Sequence, residues 1–182
     1  SFGWSALRKA FPKIGEPDAD KVRKIVEEMV APRGNEPPHR LNDYIPEIAK
    51  LVSFAKQRAF GIGSNPDINE RASWRVLNEH FEVFDPEVVP EDVVEEAIGV
   101  AINALIQSNG NTGVADFDDM VYLPVLHRCR FWQFDVVMVD EAQDTNPARR
   151  ELVKALVRRG GRVIAVGDRH QAIYGFTGAD ND

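Results

Sequence analysis

Two apolar runs that end in acids carry the chemistry open to this sequence. Val136-Val137-Met138-Val139 closes on Asp140-Glu141-Ala142-Gln143-Asp144, and Val163-Ile164-Ala165-Val166 closes on Gly167-Asp168, with Gln171 three residues further on. Hydrolysis of a nucleotide needs such an arrangement, because a buried strand can fix two carboxylates beside a magnesium-bound phosphate. Gln171 is able to hydrogen-bond a phosphate oxygen. Tyr174 and Phe176 follow it closely and present aromatic faces on which any base can stack, each stack contributing about 1–3 kcal/mol. One loop carrying Gln171, Tyr174 and Phe176 would feel a phosphate and a base at once. Asp168 is read as shaping that loop.

The elements that must hold these residues follow from the apolar spacing. Phe134-Asp135 leads into a strand over Val136–Val139, Pro147 starts a helix carrying Leu152, Val153, Leu156 and Val157, and Gly160-Gly161 ends it before a strand over Arg162–Val166. Strand, helix, strand with continuous apolar strands is a βαβ unit, which requires parallel strands covered on both faces. Ahead of it, Asp116 caps a helix bearing Phe117, Met120, Val121 and Leu123 that Pro124 kinks or ends.

The first hundred residues read as successive helices. Val22, Ile25, Val26, Met29 and Val30 form one helical stripe within Asp18–Ala31, broken by Pro32 to Pro38. Leu41 through Ala59 gives a second, ended by Gly61 and Gly63. Trp74, Leu77, Phe81 and Phe84 continue a third, and Pro90-Glu91-Asp92 opens a fourth that Asn109-Gly110-Asn111 stops. The Trp and Phe residues at this spacing read as core rather than as a stacking platform.

Asp140-Glu141-Ala142-Gln143-Asp144 together with Gly167-Asp168-x-x-Gln171-x-Ile173-Tyr174-Gly175-Phe176-x-Gly178-Ala179 resembles motifs II and III of the UvrD/Rep-type superfamily I DNA helicases. Asp116-Phe117-Asp118-Asp119-Met120 is similar to the acidic-aromatic segment ahead of motif II, and Ser1-Phe2-Gly3-Trp4 to the tail of the Thr-x-His-Ser motif. The resemblance implies an α/β fold: part of a RecA-like P-loop NTPase motor domain with parallel strands over 113–182, preceded by a mainly α-helical insertion subdomain over 1–112. It implies ATP and Mg²⁺ as ligands, with Asp140 holding the metal and Glu141 orienting or deprotonating the attacking water. Gln171 would sense the γ-phosphate, and Tyr174 and Phe176 would grip DNA. Gln143 and Asp144 would belong to the network linking the ATP site to a second motor domain.

The implied partners are single-stranded DNA, a duplex junction and the remainder of a longer chain, with movement 3′ to 5′ in repair, replication or recombination. No Gly-x-x-x-x-Gly-Lys-Ser/Thr is present, so the phosphate loop is expected upstream of Ser1 and the arginine finger beyond Asp182. The chain is therefore expected to be a fragment, inactive alone. Two other readings stay open: the motor part of an AddA- or RecB-like helicase-nuclease, and a DNA-binding or regulatory module without ATPase activity. Many relatives carry Trp at the position of Phe176 and Arg at that of Thr177.

Composition bounds these readings. With 182 residues, 43% hydrophobic and 28% charged, the chain reads as globular, without membrane span or secretory leader, and hence intracellular. A net charge of −7 argues against a uniformly basic DNA-holding surface. Asp85, Glu87, Glu91, Asp92, Glu95 and Glu96 form an acidic block, and Arg149, Arg150, Lys154, Arg158, Arg159 and Arg162 a basic one, both read as solvated faces. The single Cys129 reads as a small buried hydrophobe. His39, His80, His127 and His170 lack metal-ligand spacing.

Overall fold

A computed structural model describes residues 2–32, 34 and 36–168. Among them run α1 (Phe2–Ala10), α2 (Lys21–Val30), α3 (Ile45–Gln57), α4 (Arg71–Phe81), α5 (Glu91–Gly110), α6 (Asp119–Leu126), β1 (Phe134–Val139), α7 (Pro147–Leu156) and β2 (Val157–Ala165). The molecule is a mixed helix and sheet protein whose two described strands pair in parallel. Contacts divide it into two compact units that interleave in sequence. A helical unit comprises 14–55 and 66–117, and a sheet-bearing unit gathers 2–13, 56–65 and 118–168. The division expected at 112/113 follows chain order, whereas these units are joined at several points along the chain.

In the helical unit the expected stripes become a core. Val22, Ile25, Val26 and Val30 bury one face of α2, which packs on α5, where Ala97, Ile98, Ala101 and Leu105 are buried as well. Lys21, itself buried, donates its Nζ to the Ser108 carbonyl at 2.9 Å, which ties the start of α2 to the end of α5 and satisfies an ammonium that burial would otherwise penalise. Trp74 is fully buried and its indole N–H reaches the Ile68 carbonyl at 2.8 Å. Phe54 and Phe81 stack with centroids 3.8 Å apart. Phe84 lies beyond the end of α4, because Glu82 takes a left-handed φ of 46° and closes the helix.

Three residues of the acidic block, Asp92, Glu95 and Glu96, pair with arginines from elsewhere in the helical unit. Arg40 pairs with Asp92 at 2.6 Å and with Glu96, and both Arg71 and Arg75 pair with Glu95. These arginines come from outside α5, so the carboxylates hold α4 and the 39–41 segment against that helix. The Arg40 and Arg75 guanidiniums keep the Asp92 and Glu95 carboxyls below their ordinary range.

In the sheet-bearing unit α1 packs on α6 and α6 on α7. Helix α6 starts after Asp118 rather than Asp116, leaving Phe117 outside it and 65% exposed. Pro124 sits inside α6 without ending it. It removes the N–H that would bond the Met120 carbonyl, and Gly3 of α1 approaches that oxygen so closely that a Cβ at Gly3 would lie 2.0 Å from it. Two buried links bind the 56–65 segment to α6: Lys56 Nζ to Asp119 at 2.7 Å, with both side chains wholly buried, and the Tyr122 hydroxyl to the Phe60 carbonyl at 2.7 Å.

The βαβ unit differs from expectation in two respects. Helix α7 ends at Leu156, earlier than Gly160-Gly161, and those glycines lie inside β2. The pairing steps from Phe134 with Val157 to Val136 with Arg162, so the extra residues of β2 bulge out and Gly160 takes a φ of 81°. The strands are also not covered on both faces: Val136 is 48%, Met138 73% and Val163 49% exposed. Among the described residues this sheet has two strands, and what packs on its faces leaves these three side chains about half exposed or more.

Candidate functional site: a strand-borne acid pair

The parallel register brings the two acidic strand ends together. Val137, Met138 and Val139 pair with Val163, Ile164 and Ala165, so β1 delivers Asp140 and Glu141 next to Gly167 and Asp168. The two ends are then laced: Val166 N–H donates to the Val139 carbonyl at 2.8 Å, and Ala142 N–H to the Val166 carbonyl at 2.9 Å.

Glu141 turns the chain sharply. Its φ of 49° is left-handed, a conformation that costs a non-glycine residue about 1–2 kcal/mol. A short 3₁₀ turn over Ala142–Asp144 follows, and then α7, whose first turn is closed by the Asn146 side chain accepting Arg149 N–H at 3.0 Å with Pro147 beside it. Such strain just after a strand is the kind that collects at functional sites.

Gln143 occupies the centre of the site. Its Nε2 donates to Glu141 Oε2 at 2.6 Å, and its Oε1 accepts the Asp168 N–H at 3.1 Å. This packing is possible because residue 167 is glycine: a Cβ there would lie 2.3 Å from Gln143 Oε1 and 2.9 Å from Ala142 N. Neither the left-handed turn nor this bridge is visible as a motif in the sequence. The signal that pointed nearest was the glycine directly before Asp168.

Asp140 and Glu141 are both exposed, and Asp140 Oδ1 accepts the Glu141 N–H at 3.0 Å. Among the described residues no cluster of three or more His, Cys, Asp or Glu side chains surrounds them. Two hard oxygen donors suit Mg²⁺, which is ordinarily held by one or two carboxylates with water and substrate phosphates completing its shell. Gln171, Tyr174 and Phe176 lie outside the described residues. Cys129 is buried, as its lone occurrence suggests, and burial pushes its thiol pKa up. No helix among the described residues is long and apolar enough to cross a membrane.

Fold and site together define a mixed α/β chain whose parallel strands present an acid pair at their ends. The chain belongs to the UvrD/REP helicase N-terminal domain family, whose model matches residues 1–182. It is 45% identical over 74 residues to the ATP-dependent DNA helicase Rep of Salmonella typhimurium, covering 36% of this chain and 11% of that protein. It is 30% identical over 112 residues to the ATP-dependent DNA helicase PcrA of Leuconostoc citreum, covering 57% of this chain and 15% of that one. A similar match, 32% over 106 residues, links it to the PcrA of Staphylococcus epidermidis. The chain thus spans about a seventh or less of the length of these curated relatives.

Proposed function

We propose that this chain is part of an ATP-dependent DNA helicase, contributing a portion of a RecA-like motor domain with a mainly helical insertion subdomain. The intact protein would move 3′ to 5′ on single-stranded DNA. The observation that carries this reading is the lacing of Asp140-Glu141 to the end of β2 through Gln143, within a chain of the UvrD/REP family. Hydrolysis at the end of β1 can be relayed to β2 by that bridge.

In this reading Asp140 holds Mg²⁺, which when bound supplies positive charge at the β- and γ-phosphates. Glu141 orients the attacking water and takes its proton. Its left-handed backbone and the Gln143 amide fix one carboxylate oxygen, leaving the other to face the water. Gln171 senses the γ-phosphate, while Tyr174 and Phe176 stack on bases, so that loss of the phosphate alters the grip on DNA.

The test is ATP hydrolysis by the full-length protein with and without single-stranded DNA, alongside unwinding of duplexes bearing a 3′ or a 5′ tail. DNA-stimulated turnover with unwinding from the 3′ tail is expected. Turnover indifferent to DNA would contradict the reading.

A further inference from the structure

The end of the sheet-bearing unit remote from the acid pair carries a second feature. Between α6 and β1 the chain reads Arg128-Cys129-Arg130-Phe131-Trp132, and this segment lines an open groove of about 1030 Å³ together with Lys9, Glu151 and Lys154. Four cations and one carboxylate line it, in a chain whose net charge is −7. Lys154 pairs with Glu151 at 2.6 Å, so the local acid is already matched. Lys9, Arg128 and Arg130 are exposed and have no acidic partner among the described residues. Trp132 also lines the groove, with 81% of its surface exposed.

The backbone places one of these cations under strain. Helix α6 closes with Arg128 N–H on the Val125 carbonyl at 3.0 Å and Cys129 N–H on the Pro124 carbonyl at 2.8 Å, the paired bonds of a Schellman terminus. The residue that donates the shorter-range of these bonds must be left-handed, a position ordinarily given to glycine. Here it is Arg128, with a φ of 49°. A conformationally costly arginine, two further unpaired cations and an exposed tryptophan converge on one concavity.

We propose that this groove binds single-stranded DNA, with Lys9, Arg128 and Arg130 on the phosphates and Trp132 stacked on a base. Stacking platforms flanked by cations are how proteins hold single strands without reading their sequence. An anion site alone would not call for Trp132. The groove adjoins the start of β1, six residues from its catalytic end, roughly 20 Å at about 3.3 Å per residue. It is therefore separate from the Asp140-Glu141 pair at the other end of that strand. It rests on the reading of the chain as a DNA motor only in the choice of strand.

The test is fluorescence anisotropy of a fluorescein-labelled oligothymidylate of about ten nucleotides, titrated with the 182-residue chain and its variants. Trp132→Ala should weaken binding roughly 5- to 150-fold, with Trp132→Phe restoring most of it. Lys9→Gln with Arg130→Gln should flatten the salt dependence by about 1.4 in log–log slope. Arg128→Gly relieves the left-handed backbone, so it should keep or raise the melting temperature while weakening binding. That combination separates ligand contact from fold. Affinity lost in Phe176→Ala but unchanged in all groove variants would overturn the groove and leave the motor reading standing. Loss confined to the groove variants would sustain the groove and remove the Phe176 contact. Absence of binding by the unaltered chain at low salt, or heparin displacement with no effect of Trp132→Ala, would also overturn the proposal.

Discussion

Gln143 bonds Glu141 Oε2 at 2.6 Å and, with the other end of the same amide, the backbone N–H that follows Gly167. One side chain therefore joins the proposed catalytic base to the end of the neighbouring strand. Gly167→Ala puts a methyl group 2.3 Å from Gln143 Oε1, so the amide must leave. We expect the substitution to destabilise the chain by about 1–3 kcal/mol and, in the full-length protein, to lower DNA-stimulated ATPase more than basal ATPase. Thermal melts and paired ATPase assays check both; a variant with wild-type stability and stimulation would show that the bridge is idle.

The buried pair of Lys56 and Asp119 should respond asymmetrically. Both side chains are wholly buried at 2.7 Å, so removing one partner leaves the other charge unmatched, at a cost of about 3–5 kcal/mol. Asp119→Leu alone should melt well below the unaltered chain. The double substitution Asp119→Leu with Lys56→Met should recover much of the loss, because the charge is removed with its partner. A denaturant titration of the three proteins reads this directly, and an additive double mutant would contradict it.

Acid should loosen the helical unit. Arg40 and Arg75 hold the Asp92 and Glu95 carboxyls below their ordinary values of 3.8 and 4.5. A carboxyl depressed by folding contributes stability in full above its unfolded value and loses it as pH falls through the folded one. The contribution is accordingly complete at neutral pH and fades below the ordinary carboxylate range. Asp92 is exposed and Glu95 only partly buried, so the effect is small and weakens with salt. Arg75→Gln should make the acid-side melting curve shallower, and an unchanged pH profile would show that the pairs contribute nothing.

How much of this was legible beforehand varies with the kind of interaction. Helices α2 and α5 were, because their apolar residues recur with helical period and Pro90 and Asn109-Gly110-Asn111 mark the bounds of α5. The parallel pairing of β1 and β2 was too, since a strand, a helix of that length and a second strand leave little alternative. Gly160-Gly161 reads as a helix stop, whereas in the fold α7 ends at Leu156 and the pair lies in the bulged part of β2. The covered strands expected from Val136–Val139 depend on neighbours that the described sheet does not have. The carboxylates of the acidic block stay open to solvent, as a solvated face would, but the pairing of Asp92, Glu95 and Glu96 with Arg40, Arg71 and Arg75 was not legible, because those arginines lie far away in sequence and charge patterning along one helix carries no sign of them. At the candidate site the acid pair could be read from its strand, but the left-handed Glu141 and the reach of Gln143 to Asp168 are tertiary facts.

The role proposed for Glu141, the base of an ATP-driven motor, is read out by turnover of full-length Glu141→Gln protein alongside its affinity for ATP. The amide keeps the shape of the side chain but cannot accept the water's proton. ATP binding should remain close to normal, while DNA-stimulated hydrolysis falls by about 10²–10⁴-fold. Near-normal hydrolysis by that variant would contradict the account.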